Sequence, residues 1–550
     1  GSTSIVPVAA SGVAGSISPI SLPLIPGTTV IGAHNLQGAV QTVTSTVSSA
    51  AFGNCFAPAT IRIFFTWRND GSGGTQPPVA LDNIFLESAV PAGGPISGTK
   101  TIGPGGDYPT LTAAVAVIAQ NGVSSPVILE LQSNYTSAGE TFPIVLGGQS
   151  SCNPVSSTNT VTIRPAAGAT ALSIIGTNAG PTIDINGGSW WRIDGRPGGV
   201  GTAKELTISN TSTSGQAVRF INEGSNNIIR YTILRGVNTS TASGVVLFST
   251  TTGANGNDNN LIEFCDIRDG ATSPLNCVYS SATTTTLTQY NNNNTISNCN
   301  IFNYFGATSS HVGVFLAGGN SDWTITGNSF YQTTTRSTTG TVNAFQSSSS
   351  LNNNLTVTNN SIGGSEPNAG GTAMTYTGGT IIRAFLVTVG TLAPSNFNNN
   401  TFRNISVTTT STSTAQSMIS LLTGRINCND NTIGSQTTNN SIVFSLSGSA
   451  ARLQAILAGT GTPELTTINN NTIGGMSLIV TGAPATVPAF FPISVQGTTA
   501  GHNFTVTNNT IGSPTVANSV TSDANSSLIA IISFSGAIGQ TYNNNLIANI

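Results

Sequence analysis

The sequence predicts an all-β chain, most of which winds as a right-handed parallel β-helix. Three observations carry that expectation: a phrase repeated at near-constant spacing, an asparagine fixed at one place in it, and a second apolar beat between copies. The phrase reads Asn-Asn-Ser-Ile-Gly at 359–363, Asn-Asp-Asn-Thr-Ile-Gly at 429–434, Asn-Asn-Asn-Thr-Ile-Gly at 469–474 and Asn-Asn-Thr-Ile-Gly at 508–512. Self-similarity at a coarse fixed period is the signature of a stacked repeat.

The apolar residue closing each phrase serves as anchor. The series runs Ile233, Ile267, Ile301, Phe330, Ile362, Phe402, Ile433, Ile473, Ile511, Ile547, with a mean step of about 35 residues. Two residues before each of the last seven anchors stands an asparagine: Asn328, Asn360, Asn400, Asn431, Asn471, Asn509 and Asn545. Cys265 and Cys299 hold that position in the two preceding copies, and Tyr231 in the first. The second beat is Phe220, Leu247, Phe315, Phe345, Phe385, Ile419, Ile456, Ile493 and Ile531. In a parallel β-helix each unit is one coil, and inward residues stack on their equivalents about 4.8 Å away. The recurring asparagine then bonds its equivalent in the next rung as a ladder. Asn also tolerates the left-handed backbone of such bends, and the glycine after Ile supplies positive φ at the next corner.

Residues 1–95 read differently. Ile61-Arg62-Ile63-Phe64-Phe65-Thr66-Trp67 alternates as a strand, Asp70 to Gly74 forms a turn, and Val79 to Leu86 is a second strand. The stretch from Trp67-Arg68-Asn69-Asp70 to Pro77-Pro78-Val79-Ala80-Leu81-Asp82-Asn83-Ile84 resembles the closing strands of jelly-roll modules. Residues 96–150 form a linker and a capping helix. Thr110 is placed to cap its N-terminus, Leu111, Ala114, Val115 and Ile118 share one helical face, and Gly122 stops it. The β-helix occupies 151–550, with less regular coils before about 226. No terminal capping element follows Asn545-Leu546-Ile547, so the coils are expected to continue past residue 550 or to dock there, giving end-to-end self-association into a fibre.

Composition excludes several functions. Charged residues make up 6% of the 550, with a formal net charge of −3, against about 25% charged in ordinary domains. There is no basic patch to displace counterions from nucleic acid, and no apolar run long enough to span a membrane. The Asn/Thr-rich surface and its many Asn-x-Ser/Thr sequons point to an extracellular or cell-surface location. Six scattered cysteines include no Cys-x-x-Cys, so zinc is not indicated. Cys265 and Cys299, on adjacent rungs, form either a disulfide or a pair of stacked thiols.

Past residue 330 the acids are Glu366, Asp430, Glu464 and Asp523, at unrelated repeat positions. Charge is densest at Arg164, Asp184, Arg192, Asp194, Arg196, Glu263, Asp266, Arg268 and Asp269. Asp184 and Asp194 on adjacent rungs, with Trp191, Arg192 and Arg196, make an alternative carbohydrate site, Trp190 and Trp191 being able to stack on a sugar ring. Structural ion pairs and core packing are the commoner fates of such residues. Glu263, Asp266 and Asp269 lack the spacing of a calcium loop, so no cofactor is assigned and calcium has no supporting motif. His34, His311 and His502 each stand alone and read as packed or solvated.

Two features together resemble a known class. The Asn-Asn-Thr-Ile-Gly unit over 226–547 is similar to the repeats of secreted β-helix proteins and large surface adhesins of gliding bacteria, exported by the type IX system. Gly105-Gly106-Asp107-Tyr108-Pro109-Thr110-Leu111 resembles the opening cap of pectate-lyase-like β-helices. The resemblance implies an extracellular adhesin or filament subunit without catalytic residues, with surface glycans as partners. The alternatives are a polysaccharide lyase or glycosidase with its site in 164–270, and a passive carbohydrate binder.

Overall fold

The computed structural model describes residues 94–147, 153–411, 416–447, 452–459, 465–481, 489–496, 503–523, 525–534 and 539–550. The jelly-roll-like strands expected before residue 95 lie outside these, as do Cys55, Cys152, His34, His502 and Glu464. The chain divides into two compact units, Gly1–Ile96 with Ile118–Ser124 and Gln149–Pro154, and the remainder. The solenoid belongs to the second.

One coil shows the construction. A strand at Leu261–Glu263 is followed by a two-residue corner, a strand at Asp266–Asp269, a loop, and a strand at Asn276–Ser280. The next coil repeats this at Thr295–Ser297, Asn300–Phe302 and His311–Leu316. Each strand pairs in parallel with its equivalents one coil away. The result is a parallel β-helix, right-handed as parallel crossovers almost always are, with a first face of 14 strands, a second of 12 and a third of 13. From Arg336 a further 6-stranded sheet enters between the second and third faces, running to Val520–Ser522.

Alternation along each strand sends one set of residues inward. On the first face Ile229, Ile262, Ile296 and Ile325 stack, and on the second Leu234, Ile267, Ile301 and Phe330. On the third, Phe345, Phe385, Ile419, Ile456 and Ile493 stack. All are at most 1% exposed, each burial being worth about 1.5–3 kcal/mol against exposure.

The observed register corrects four positions, one of them Phe220, which faces inward but pairs with Phe248, Val218 being the equivalent of Val246. Ile233 pairs with Asp266 and faces outward, and Leu234 is the true equivalent of Ile267. On the third face Leu247 and Phe315 face outward, while Val246 and Val314 fill the inward column. A slip of one residue moves a side chain to the opposite face of a strand, and a 35-residue mean spacing cannot resolve it.

The solenoid also starts earlier than residue 151. Strands at Val123–Leu131 and Ile144–Gly147 already belong to the first and third faces. Between Ile96–Ile102 and Val123–Leu131 lies the helix Leu111–Asn121. Thr110 Oγ1 accepts the Ala113 N–H at 3.1 Å, and Gly122 follows with φ of 73°. The Glu140 carboxylate takes the two preceding donors, the N–H groups of Leu111 and Thr112 at 2.6 and 2.7 Å, where a negative charge suits the helix dipole.

Candidate functional site

The asparagines form a continuous internal column at the corner between the first and second faces. The Asn328 N–H and Asn328 Nδ2 both donate to Asn360 Oδ1 at 3.0 Å. The same pair of bonds, at 2.9–3.1 Å, links Asn360 to Asn400, Asn400 to Asn431, Asn431 to Asn471, Asn471 to Asn509, and Asn509 to Asn545. The second Nδ2 proton goes to a first-face carbonyl, such as Phe397 O from Asn431 at 2.8 Å. Every polar atom of each amide is thereby used, as burial demands. Upstream, Cys299 N–H donates to Asn328 Oδ1 at 2.9 Å and Cys265 N–H reaches Cys299 Sγ at 3.4 Å. Both cysteines are free and buried, and burial pushes the Cys265 thiol well up, so they are stacked thiols. A second amide column, Asn227, Asn260 and Asn294, borders the other edge of the first face.

The charged residues of the early coils do not form one site: Asp194, Arg196, Arg230 and Glu263 gather on the first face, apart from Asp184. Asp184 faces out from the third face, paired bidentately with Arg219 at 2.8 Å. Asp194 lies on the first face, held by Arg196 at 2.7 Å and Arg230 at 2.9 Å. Burial works to raise the Asp194 carboxyl, but the Arg196 hydrogen bonds and the Arg230 charge override it and leave it below the usual range. The expected approach of Asp184 to Asp194 is therefore wrong: the two are on different faces, Asp184 neutralised by Arg219 and Asp194 by Arg196 and Arg230. Trp191 is 1% exposed and packs inside, which removes it from sugar stacking. Arg192 stands on the outer side of the first face between Thr162 and Ile228. The acidic trio also separates. Asp266 binds Lys204 and Asn300, Asp269 binds Arg268 and Asn303, and Glu263 sits on the first face. Among the described residues no group of three ligating side chains could hold a metal.

One carboxylate pair escaped the sequence. Glu223 and Asp258 belong to the turns that lead from the third face to the first. Burial, with the Glu223 charge adding to it, raises the Asp258 carboxyl to about 6. Both are engaged by backbone: Asp258 Oδ1 accepts the Asn292 N–H at 2.6 Å, and Glu223 Oε1 the Asn255 N–H at 2.8 Å.

The third face offers a different surface. Phe315 pairs in register with Tyr279 and Gln346, so these three form an outward column, and the two rings meet edge-on with centroids 5.2 Å apart. Phe315 and Gln346 line a groove of about 280 Å³ with Asn276, Asn343, Arg383 and Leu386. Burial lowers the pKa of the Arg383 guanidinium. The groove combines an aromatic edge, amides and a cation, and its lining holds no carboxylate. The alternation Val312, Val314, Leu316 was the signal that Phe315 points outward.

Comparison with known proteins adds little chemistry. No protein-family model matches the chain, and no curated protein matches it. Solved structures that superimpose include a GH136 lacto-N-biosidase from Eubacterium ramulus, as native protein and as selenomethionine derivative. Each shares 8% identity over 81% of this chain and 68% of that chain, with TM-scores of 0.32 and 0.31. The fold assignment rests on the strand pairings above.

Proposed function

We propose that this chain is an extracellular, non-catalytic β-solenoid, a surface adhesin or filament subunit that holds glycans through the third-face groove. Export by the type IX route belongs to the same reading. The observation carrying it is the groove itself, where Phe315, Gln346, Asn343 and Arg383 meet without a carboxylate. Aromatic edges and amides suit the apolar face and hydroxyls of a sugar ring, and glycosidic cleavage needs two opposed carboxyl groups that the groove lacks. Many such weak contacts along a cell surface add by avidity. Glycan-array binding tests the reading. Wild type should bind a restricted set of glycans, and Phe315→Ala and Arg383→Ala should each abolish it with the fold intact by circular dichroism. Unchanged binding in both variants would refute the groove.

A second reading starts from Glu223 and Asp258, carboxylates on neighbouring turns near enough for the Glu223 charge to add to the raised pKa of Asp258, since glycosidic cleavage uses two carboxyl groups. On that reading the chain cleaves glycans, and Glu223→Gln and Asp258→Asn each abolish turnover.

A further inference from the structure

We propose that the outer side of the first face, from the coil at Thr295 to the coil at Thr541, is an ice-binding surface. Eight successive strands of that face share two outward positions, and the strands Leu465–Asn469 and Asn503–Thr507 add a third, Leu465 and Asn503, at their start. In register these are Thr295 and Ser297, then Thr324 and Thr326, then Thr356 and Thr358. In the five coils that follow, both positions are again Thr or Asn. No charged and no aromatic residue interrupts either column over these coils. The same columns upstream hold Arg192, Asp194, Arg230 and Glu263, so the neutral array has a definite beginning.

Ice and liquid water are chemically identical, so a surface can distinguish them only by order. Three properties are required: a rigid two-dimensional repeat near the oxygen spacing of ice, no charges to impose their own hydration shells, and polar groups of fixed direction. Stacked rungs repeat every ~4.8 Å, and positions i and i+2 of one strand lie ~6.7 Å apart. Both spacings are close to repeats on the prism faces of hexagonal ice. Along one edge the sheet is kept in rung-on-rung register by the amide column Asn328 to Asn545, and the column Asn227, Asn260 and Asn294 on the other edge reaches only the first coil of the array; ladders of this kind stabilise flat sheets.

The outward groups are also fixed. Threonine is stiff at χ1. Thr358 Oγ1 bonds Thr326 Oγ1 at 3.2 Å, Asn427 Nδ2 donates to Asn396 Oδ1 at 2.9 Å, and Thr467 Oγ1 donates to Asn427 Oδ1 at 3.0 Å. Thr507 Oγ1 continues the pattern to Asn469 Oδ1 at 2.9 Å. Crystalline polysaccharide, the competing periodic solid, is gripped largely by aromatic platforms, and these columns have none.

The test is partition of the full chain into slowly grown ice, read as the ratio of protein in the ice to protein left in the liquid. Wild type should enter the ice and suppress recrystallisation. The double variant Thr324→Tyr with Thr356→Tyr places two bulky rings on the array without touching the core. Its partition should fall about ten-fold or more, since many weak contacts multiply. Ser348→Tyr, at an exposed position on the third face, should partition as wild type, and circular dichroism should show all three folded alike. Exclusion of wild type from ice would overturn the proposal. So would equal partition of wild type and the double variant, or a Tyr-sensitive retention on crystalline cellulose or chitin without retention by ice.

Discussion

Asn431 is the most demanding place to perturb the amide column. Its Oδ1 accepts the Asn400 N–H at 2.9 Å and Asn400 Nδ2 at 3.1 Å. Its Nδ2 donates to Phe397 O at 2.8 Å and to Asn471 Oδ1 at 2.9 Å. Asn431→Ala leaves the Asn471 oxygen one donor, the backbone N–H at position 431. It strands the Asn400 N–H, one proton of Asn400 Nδ2, and the amide bond to Phe397 O. Asn431 and its neighbours are at most 1% exposed, so each stranded group costs about 1–3 kcal/mol. Partial relaxation and water entry bring the expected loss to roughly 3–5 kcal/mol. Asn545→Ala, at a part-buried rung, should cost only about 1 kcal/mol. Urea unfolding reads the totals, and native-state hydrogen exchange reads the Asn400 amide directly. Solenoids unfold in segments, so the exchange rate is the cleaner quantity. A loss below about 1 kcal/mol at Asn431, with Asn400 exchange unchanged, would refute the claim that the column carries stability.

Other predictions follow from the same contacts. Cys299→Asn should stabilise by about 1 kcal/mol, because a carboxamide oxygen would replace the 3.4 Å sulfur acceptor of the Cys265 N–H; thermal melting checks it. His311 is fully buried, and burial lowers it to about 4 from an ordinary 6.5, while its Nε2 has no partner. The unfolded chain therefore binds the extra proton between those values, and about 3 kcal/mol of stability is lost as pH falls from 6.5 to 4, measurable as a falling urea midpoint. Asp258 has the opposite sign. Its raised carboxyl, about 6, penalises the folded state at neutral pH and is relieved on acidification. Asp258→Asn should raise the melting temperature at pH 7, and the gain should vanish near pH 4.

Much of the coil was legible in the sequence because its causes are local. The doublets Asn359-Asn360, Asn399-Asn400, Asn470-Asn471 and Asn508-Asn509 each place one asparagine at a left-handed corner, φ 56–58°, and the next in the column. The same physics wrote Asn226-Asn227, Asn259-Asn260 and Asn293-Asn294 at the other edge of the first face, and there the pattern went unread because no glycine follows to punctuate it. Phe315 and Leu247 were misplaced because an apolar side chain at the right interval says nothing of which way a strand presents it; only the neighbours Val314 and Val246 decide that. Asp184 and Asp194 are ten residues apart, yet a corner lies between their strands, and sequence proximity hid the change of face. Glu140 reaches the helix N-terminus from 29 residues away, a partnership that no local pattern encodes.

The central claim is that the chain holds glycans and does not cut them. The direct measurement runs binding and reducing-end release in parallel on each glycan the chain retains, with and without calcium. The account predicts saturable binding, lost in Phe315→Ala, with no release above blank in either condition. Release by wild type that disappears in both Glu223→Gln and Asp258→Asn would contradict it and make this solenoid an enzyme.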